Sequence, residues 1–128
     1  MEQQYLIDSN AIIDYLSGNL PIKGKTFMNR IINEIPNISV ISKIEILGYN
    51  TAAEAYQLLS GFIEDSVILG LTDDVVEETI KIRKEKKLKI PDANIAATAL
   101  DNGLILISRN VKDFKKIKGL KVLNPHDF

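Results

Sequence analysis

The 128-residue chain alternates short apolar runs with longer segments in which apolar residues recur every three or four positions. The short runs are typical of buried strands, and we predict strands at 5–7, 38–41, 67–69, 104–107 and 121–123. The periodic segments are typical of amphipathic helices, and we predict helices at 10–17, 25–35, 51–63, 73–87 and 91–101, together with one that begins at Ser42. This alternation predicts an α/β fold with a central five-stranded parallel sheet and helices on both faces.

Polar residues at the expected helix starts refine these boundaries. Ser9 is expected to cap the first helix, and Ser42 the helix that follows the second strand. Glu45 lies three residues after Ser42, which is the spacing of a capping box. Thr72 is expected to cap the helix over 73–87, whose first turn carries two aspartates that suit the positive end of the helix dipole.

Composition narrows the class of protein. Hydrophobic residues make up 45% of the chain, enough for one core, so we predict a single domain over residues 1–128. Cysteine is absent, which excludes disulfides, zinc–thiolate sites and cysteine nucleophiles, and the one histidine, His126, is expected to lie at the surface. We find neither a signal peptide nor an apolar run approaching the about 18 residues of a membrane span, so we expect a cytoplasmic protein outside the membrane.

The charges are divided unevenly along the chain. Sixteen basic and 17 acidic residues give a net charge of −1, which at first argues against a nucleic-acid ligand. Residues 1–78, however, carry 4 basic and 12 acidic residues, a balance of −8, whereas residues 79–128 carry 12 basic and 5 acidic residues, a balance of +7. This asymmetry is compatible with an acidic site beside a basic surface that binds a polyanion.

Four carboxylates fall where α/β sheets bind ligands, beyond the carboxyl ends of the strands. Asp8 directly follows the first strand, and Glu45 lies on the helix after the second. Asp92 lies in the first turn of the helix before the 104–107 strand, and Asp113 lies shortly after that strand. Converging carboxylates repel one another unless a cation neutralises them, and oxygen ligands without His or Cys select Mg²⁺ or Mn²⁺. Such ions activate water for attack on a phosphodiester, so we predict metal-dependent phosphoryl chemistry.

Four segments carry a family resemblance. They read LIDSN at 6–10, SKIEILGY at 42–49, IPDANIAATA at 90–99 and LISRNVKDF at 106–114. In this order and at these spacings, the chain resembles the PIN-domain family, in particular the VapC-like toxin ribonucleases. The resemblance implies a PIN-like fold with a five-stranded parallel sheet, and an Mg²⁺- or Mn²⁺-dependent endoribonuclease that cleaves RNA phosphodiester bonds.

The resemblance also implies roles for the acidic residues. The first three acidic positions of the family match Asp8, Glu45 and Asp92, of which Asp8 and Asp92 would hold the metal directly. Glu45 would complete the ligand set or position the attacking water. Many relatives carry a fourth Asp where this chain has Asn110, whereas others carry an acid three residues later, as Asp113 does here. We therefore assign Asp113 as the fourth catalytic and metal-binding carboxylate, and Asn110 as a neutral ligand or orienting group.

Supporting and binding residues complete the implied site. Ser9 and Ser108 would support the carboxylates through hydrogen bonds, and Asn10 would hold the water of the site. Asp14 is expected either on the solvent side of the first helix or near the site, with a structural role. Basic side chains are candidates for RNA binding, with Arg109 on a phosphate; the candidates are Lys84, Lys86, Lys87, Arg109 and Lys112. The family resemblance further implies a homodimer and a cognate VapB-like antitoxin.

Several functions fit these residues. The first hypothesis is the toxin of a type II toxin–antitoxin pair. A housekeeping RNA-processing PIN nuclease would have the same motifs, and a catalytically weak PIN module that binds RNA or protein is a third alternative. A haloacid-dehalogenase-type phosphatase is disfavoured because it needs a second Asp where Asn10 stands. A phospho-acceptor receiver is disfavoured because its acidic cluster and mid-chain acceptor Asp are not well placed here.

Overall fold

Five short strands form the centre of the fold. The computed structural model describes residues 4–128, and in it the strands are β1 (Tyr5–Ile7), β2 (Asn37–Ser39), β3 (Val67–Leu69), β4 (Ile105–Ile107) and β5 (Val122–Leu123). All neighbouring strands pair in parallel, in the order β3-β2-β1-β4-β5. The prediction of a five-stranded parallel α/β sheet is therefore confirmed.

Helices connect consecutive strands. They are α1 (Ser9–Leu16), α2 (Ile22–Ile32), α3 (Val40–Leu47), α4 (Ala53–Glu64), α5 (Asp73–Glu85), α6 (Ile90–Asp101) and α7 (Val111–Phe114), followed by a single 3-10 turn at Pro125–Asp127, here called the C-terminal turn. The predicted helices are confirmed with shifts of a few residues at their ends. The sequence did not predict α7 and the C-terminal turn, because one turn is too short to show an apolar period.

The sheet is apolar on both faces, and neighbouring strand residues point into different cores. Leu6 and Leu106 pack with α5, α6 and α7, whereas Ile7 and Ile107 pack with α1 to α4. This is the two-sided burial expected of a parallel sheet, whose strands therefore consist of continuous aliphatic runs. Phe114, from α7, is fully buried in the first core and anchors the segment that follows β4.

Helix α6 is buried over an unbroken stretch. Residues 93–99 are all buried, and four of these seven side chains are alanines. Small side chains allow the helix to lie close to its neighbours, and α6 packs most extensively against α5. The position of α6 in turn places Asp92, in its first turn, near the carboxyl edge of the sheet.

The helix caps differ from two of the predictions. Asp8, not Ser9, caps α1: its carboxylate accepts a hydrogen bond from the Ser9 backbone N–H at 2.8 Å. Ser39, not Ser42, caps α3: its hydroxyl accepts from the Ser42 backbone N–H at 3.1 Å. The predicted strand at 38–41 ran too far because its apolar residues fit either a buried strand or a helix. The predicted cap at Thr72 is confirmed by its contact with the Val75 N–H at 3.2 Å.

The C-terminal turn packs against α2 at a position where only glycine fits. A Cβ atom added to Gly24 would lie 1.9 Å from the carbonyl oxygen of Pro125. Contact at this distance is sterically forbidden, so Gly24 allows the end of the chain to lie on α2. In residues 4–128, no helix combines the length and apolarity that crossing a membrane requires.

Candidate active site

The candidate site lies where the strand order changes direction. β1 and β4 are adjacent in the sheet, and the chain leaves β1 through α1 toward one core and leaves β4 through α7 toward the other. The crevice beyond the carboxyl ends of such a strand pair is the usual ligand site of open α/β sheets. Asp8 follows β1 at this point, and Ser108 follows β4.

Asp8 is buried at the base of this crevice, with 6% of its surface exposed. Its Oδ1 accepts from the Ser9 N–H, and its Oδ2 accepts from Ser108 Oγ at 2.8 Å and from Asn10 Nδ2 at 3.3 Å. Asn110 donates its backbone N–H to Ser108 Oγ at 3.0 Å. The carboxylate is therefore held in one orientation by groups from both sides of the β1–β4 pair.

Glu45 reaches the same edge of the sheet from α3. Ser9 Oγ donates a hydrogen bond to Glu45 Oε1 at 2.7 Å, which connects the acid on α3 to the first turn of α1. Ser9 is next to Asp8 in the chain, so this contact brings Glu45 beside the buried carboxylate. Glu45 itself is exposed.

The charges of neighbouring acids contribute to the pKa values of Asp8 and Asp92. Burial is the main reason why the pKa of Asp8 is raised from 3.8 to about 6; hydrogen bonds from Ser108 and Ser9 oppose the shift, and the charges of Glu45 and Asp92 add to it. Burial also raises the pKa of Asp92, helped by the charges of Glu45 and Asp113 and opposed by Lys89. Asp92 thus links Asp113 to the pair formed by Asp8 and Glu45.

This acidic cluster has no cationic side chain as a direct partner. Within residues 4–128, the ion pairs that acidic groups form both involve Asp14, so Asp8, Glu45, Asp92 and Asp113 have none. No three Asp, Glu or His side chains in that part of the chain lie in an arrangement that would hold one ion as they stand. The donor chemistry nevertheless fits Mg²⁺ or Mn²⁺, because the cluster offers only oxygen ligands and carries unbalanced negative charge.

Asn110 and Arg109 both make hydrogen bonds within the protein beside the site. The Asn110 side chain does not cap α7, and the residue contributes its backbone N–H to Ser108 instead. The Arg109 guanidinium is bound to Asp14, with Nη1 at 3.0 Å from Oδ2 and 3.1 Å from Oδ1. One nitrogen of Arg109 is therefore committed to a protein carboxylate.

The structure places Asp14 on the buried face of α1 and not on its solvent side. It is 6% exposed, and its Oδ2 also lies 2.8 Å from Nε2 of His126, so neither residue is a simple surface group. The sequence could have indicated this burial, because Asp14 lies three residues after Ala11 and therefore on the same, buried face of α1.

The lysines proposed for RNA binding are divided between surfaces. Lys84 lines a recess between α5 and α6, whereas Lys86 lines a second recess near the end of α6. Lys87 is exposed beyond α5, and Lys112 is exposed on α7. The second recess, of about 410 Å³, is here called the lysine recess; it is lined by two glutamates, Glu78 and Glu85, and by four lysines, Lys81, Lys86, Lys116 and Lys118.

The fold and site define an α/β protein with an acidic cluster at the switch point of a five-stranded parallel sheet. A family model described as the PIN domain matches residues 5–120. The chain belongs to the PIN domain family, which confirms the resemblance and the fold that it implied. None of the curated proteins compared with the chain matches it.

Three solved structures are similar to this chain in fold. The chain is similar to a toxin–antitoxin complex from Klebsiella pneumoniae, with 31% identity, 95% of this chain and 98% of that chain covered, and a TM-score of 0.74. It shares its fold with DNA-bound VapBC from Salmonella typhimurium, at 22% identity, 97% and 99% coverage and a TM-score of 0.79. VapBC2 from Rickettsia felis, bound to a fragment of promoter DNA, also has this fold, at 18% identity, 95% and 98% coverage and a TM-score of 0.79.

Proposed function

We propose that this protein is a metal-dependent endoribonuclease and the toxin of a type II toxin–antitoxin pair, with residues 1–128 forming one PIN domain in the cytoplasm. PIN domains are generally nucleases, and the solved relatives named above are toxin–antitoxin complexes. The observation that carries the proposal is the buried Asp8 carboxylate, which is hydrogen-bonded in one orientation beside other acids and has no countercharge of its own.

The four acids would hold Mg²⁺ or Mn²⁺. Asp8 and Asp92 are the proposed direct ligands, with Glu45 completing the set or orienting the attacking water and Asp113 adding charge beside Asp92. A divalent ion bound there would lower the pKa of water and offset the charge that develops on the scissile phosphate. Glu45 is exposed, so its carboxylate is accessible to a ligand at this edge of the sheet.

The neighbouring polar groups would preorganise the site. Ser108 and Asn10 direct their hydrogen bonds to Oδ2 of Asp8, and Ser9 directs its hydroxyl to Glu45. These contacts fix the carboxylate orientation before a ligand arrives, which limits the reorganisation that binding requires. Asn110 contributes by fixing Ser108 through its backbone N–H.

RNA would approach along the face that carries α6 and α7. Asp92 lies at the start of α6, and Leu100, near the end of the same helix, lines the lysine recess. The acidic cluster and the lysine recess are therefore about 12 Å apart along the axis of α6. A strand bound at the acidic cluster would reach the lysine recess with its flanking phosphates. We propose that Lys86 binds phosphate there, that the exposed Lys112 and the free guanidinium nitrogens of Arg109 bind it nearer the site, and that Lys84 and Lys87 act only as general positive charge.

A partner would cover part of the surface. Several large apolar side chains are exposed on the helices, including Ile44 on α3, Leu58 on α4 and Ile90 at the start of α6. Exposed aliphatic residues mark an interaction surface where they form a contiguous patch. We propose that they serve a homodimer and a VapB-like antitoxin.

The deciding experiment is cleavage of structured RNA by the purified protein with EDTA, Mg²⁺ or Mn²⁺. We expect cleavage with either metal, none with EDTA, and a loss of at least 100-fold in the Asp8→Asn variant. The matched control is Asp65→Asn, which neutralises an exposed aspartate at the end of α4 and should retain activity. Equal cleavage by wild type and Asp8→Asn would refute the proposed chemistry.

Two further measurements separate the alternatives. A toxin should arrest growth when it is expressed alone, whereas Asp8→Asn should not, and a housekeeping nuclease should be tolerated. Sedimentation of the free protein tests for the homodimer. RNA binding without cleavage in any metal would indicate the catalytically weak module instead.

A further inference from the structure

Asp14 joins three segments that are distant in the chain. It lies on α1, binds Arg109 in the turn between β4 and α7, and binds His126 in the C-terminal turn. An ionised carboxylate has no proton to donate, so Nε2–H of His126 is the donor in that contact. The Asp14 side chain is 8% exposed, whereas that of Arg109 is 58% exposed. Asp14 is therefore the buried member of the ion pair, and the pair holds the β4–α7 turn against α1.

The turn held by Asp14 contacts the candidate site through one side chain. The Arg109 backbone N–H donates to Oδ1 of Asn10 at 2.9 Å. This fixes the orientation of the Asn10 amide, because only its oxygen can accept from an N–H. The Nδ2 group therefore points the other way, toward Asp8 Oδ2 and Ser108 Oγ, each at 3.3 Å.

The direction of the Asn10 amide has a consequence for Asp8. If the turn moved away and the amide reversed, the Asn10 oxygen would face Oδ2 of Asp8, and a repulsive contact would replace a hydrogen bond. A buried carboxylate that loses a hydrogen-bond donor is held less firmly in one orientation. The orientation of the Asp8 carboxylate thus depends on the β4–α7 turn, whose residue Arg109 does not contact Asp8.

We propose that Asp14 is a positioning residue of this site: through Arg109 and Asn10 it holds the Asp8 carboxylate in the orientation that the proposed nuclease uses. This proposal rests on the proposed function, since it assigns a task to Asp8. Asp14 itself contacts neither the acidic cluster nor any atom that would react. Its partner His126 ties the C-terminal turn to the same carboxylate and helps to keep it buried.

The first test compares cleavage by Asp14→Asn, Asn10→Ala and the double variant, with Asp65→Asn as the exposed control. We expect Asp14→Asn to lower kcat at least tenfold while KM changes less than threefold. If Asp14 acts through Asn10, adding Asp14→Asn to Asn10→Ala should cause little further loss. Full kcat in Asp14→Asn, or losses that multiply in the double variant, would overturn the proposal.

The second test does not depend on catalysis. The Asn10 side-chain amide gives its own proton–nitrogen NMR signals, and we expect them to shift and to exchange faster with solvent in Asp14→Asn but not in Asp65→Asn. If Asp14→Asn does not fold, Arg109→Lys serves as the second variant, because it keeps the charge and loses the guanidinium geometry at an exposed position. Unchanged Asn10 signals in the folded variant would overturn the proposal. Inactive wild-type protein with shifted Asn10 signals would reject the nuclease function while leaving the contact path supported.

Discussion

Asp8 is a buried carboxylate whose charge destabilises the folded protein at neutral pH when no cation is bound. Burial raises its pKa in the folded state from 3.8 to about 6. The folded state therefore binds the proton more tightly than the unfolded state, and stability falls as the pH rises from about 4 to about 6. A shift of this size corresponds to about 3 kcal/mol once Asp8 is fully ionised.

Asp8→Asn removes this dependence on pH without changing the size of the side chain. The asparagine places an NH₂ group where Oδ2 accepts from Ser108 and Asn10, so it loses hydrogen bonds worth about 1 kcal/mol each. The asparagine side chain does not titrate, so its contacts in the variant add no dependence on pH. The difference in unfolding free energy between the variant and wild type therefore changes with pH only through the Asp8 charge.

The assay is urea unfolding at pH 4 and pH 7.5 in EDTA. We expect the unfolding free energy of Asp8→Asn, relative to wild type, to rise by about 2 to 3 kcal/mol between the two pH values. Asp65→Asn should show almost no change, because Asp65 is exposed. Parallel pH profiles for Asp8→Asn and wild type would refute the reasoning, since they would mean that the Asp8 charge has no cost in the folded state.

Two other predictions concern packing and substrate binding. Gly24→Ala should lower stability by roughly 2 kcal/mol in urea unfolding, because the new Cβ would lie 1.9 Å from a carbonyl oxygen of the C-terminal turn. Gly61→Ala, in α4 with open space around it, should be neutral or stabilising, and equal losses in both variants would contradict the steric explanation. Replacing Lys86 and Lys116 by Gln should weaken RNA binding and reduce its salt dependence, as measured by fluorescence anisotropy across a salt series. Replacing Lys84 and Lys87 by Gln, which removes the same number of charges, should have a smaller effect because both lysines lie outside the lysine recess; an equal effect would show that only net charge matters.

Much of the fold could be predicted because it rests on local patterns. The aliphatic runs and the periodic segments between them correspond to the observed strands and helices, and Thr72 caps α5 as expected. The errors at Ser9 and Ser42 arose where two polar residues competed for one cap. The chain conformation, which the sequence does not display, decides which residue is the last extended one before the helix.

The sequence by itself determined the alternation of strands and helices, the oxygen-only set of acidic donors and the family resemblance, because each depends on residue type and spacing along the chain. Only the tertiary structure decided how the site is held. The contacts of Ser9 with Glu45, Ser108 with Asp8 and His126 with Asp14 join residues that are 36, 100 and 112 positions apart. Such contacts depend on which strand ends meet at the switch point of the sheet, and no local pattern encodes that meeting.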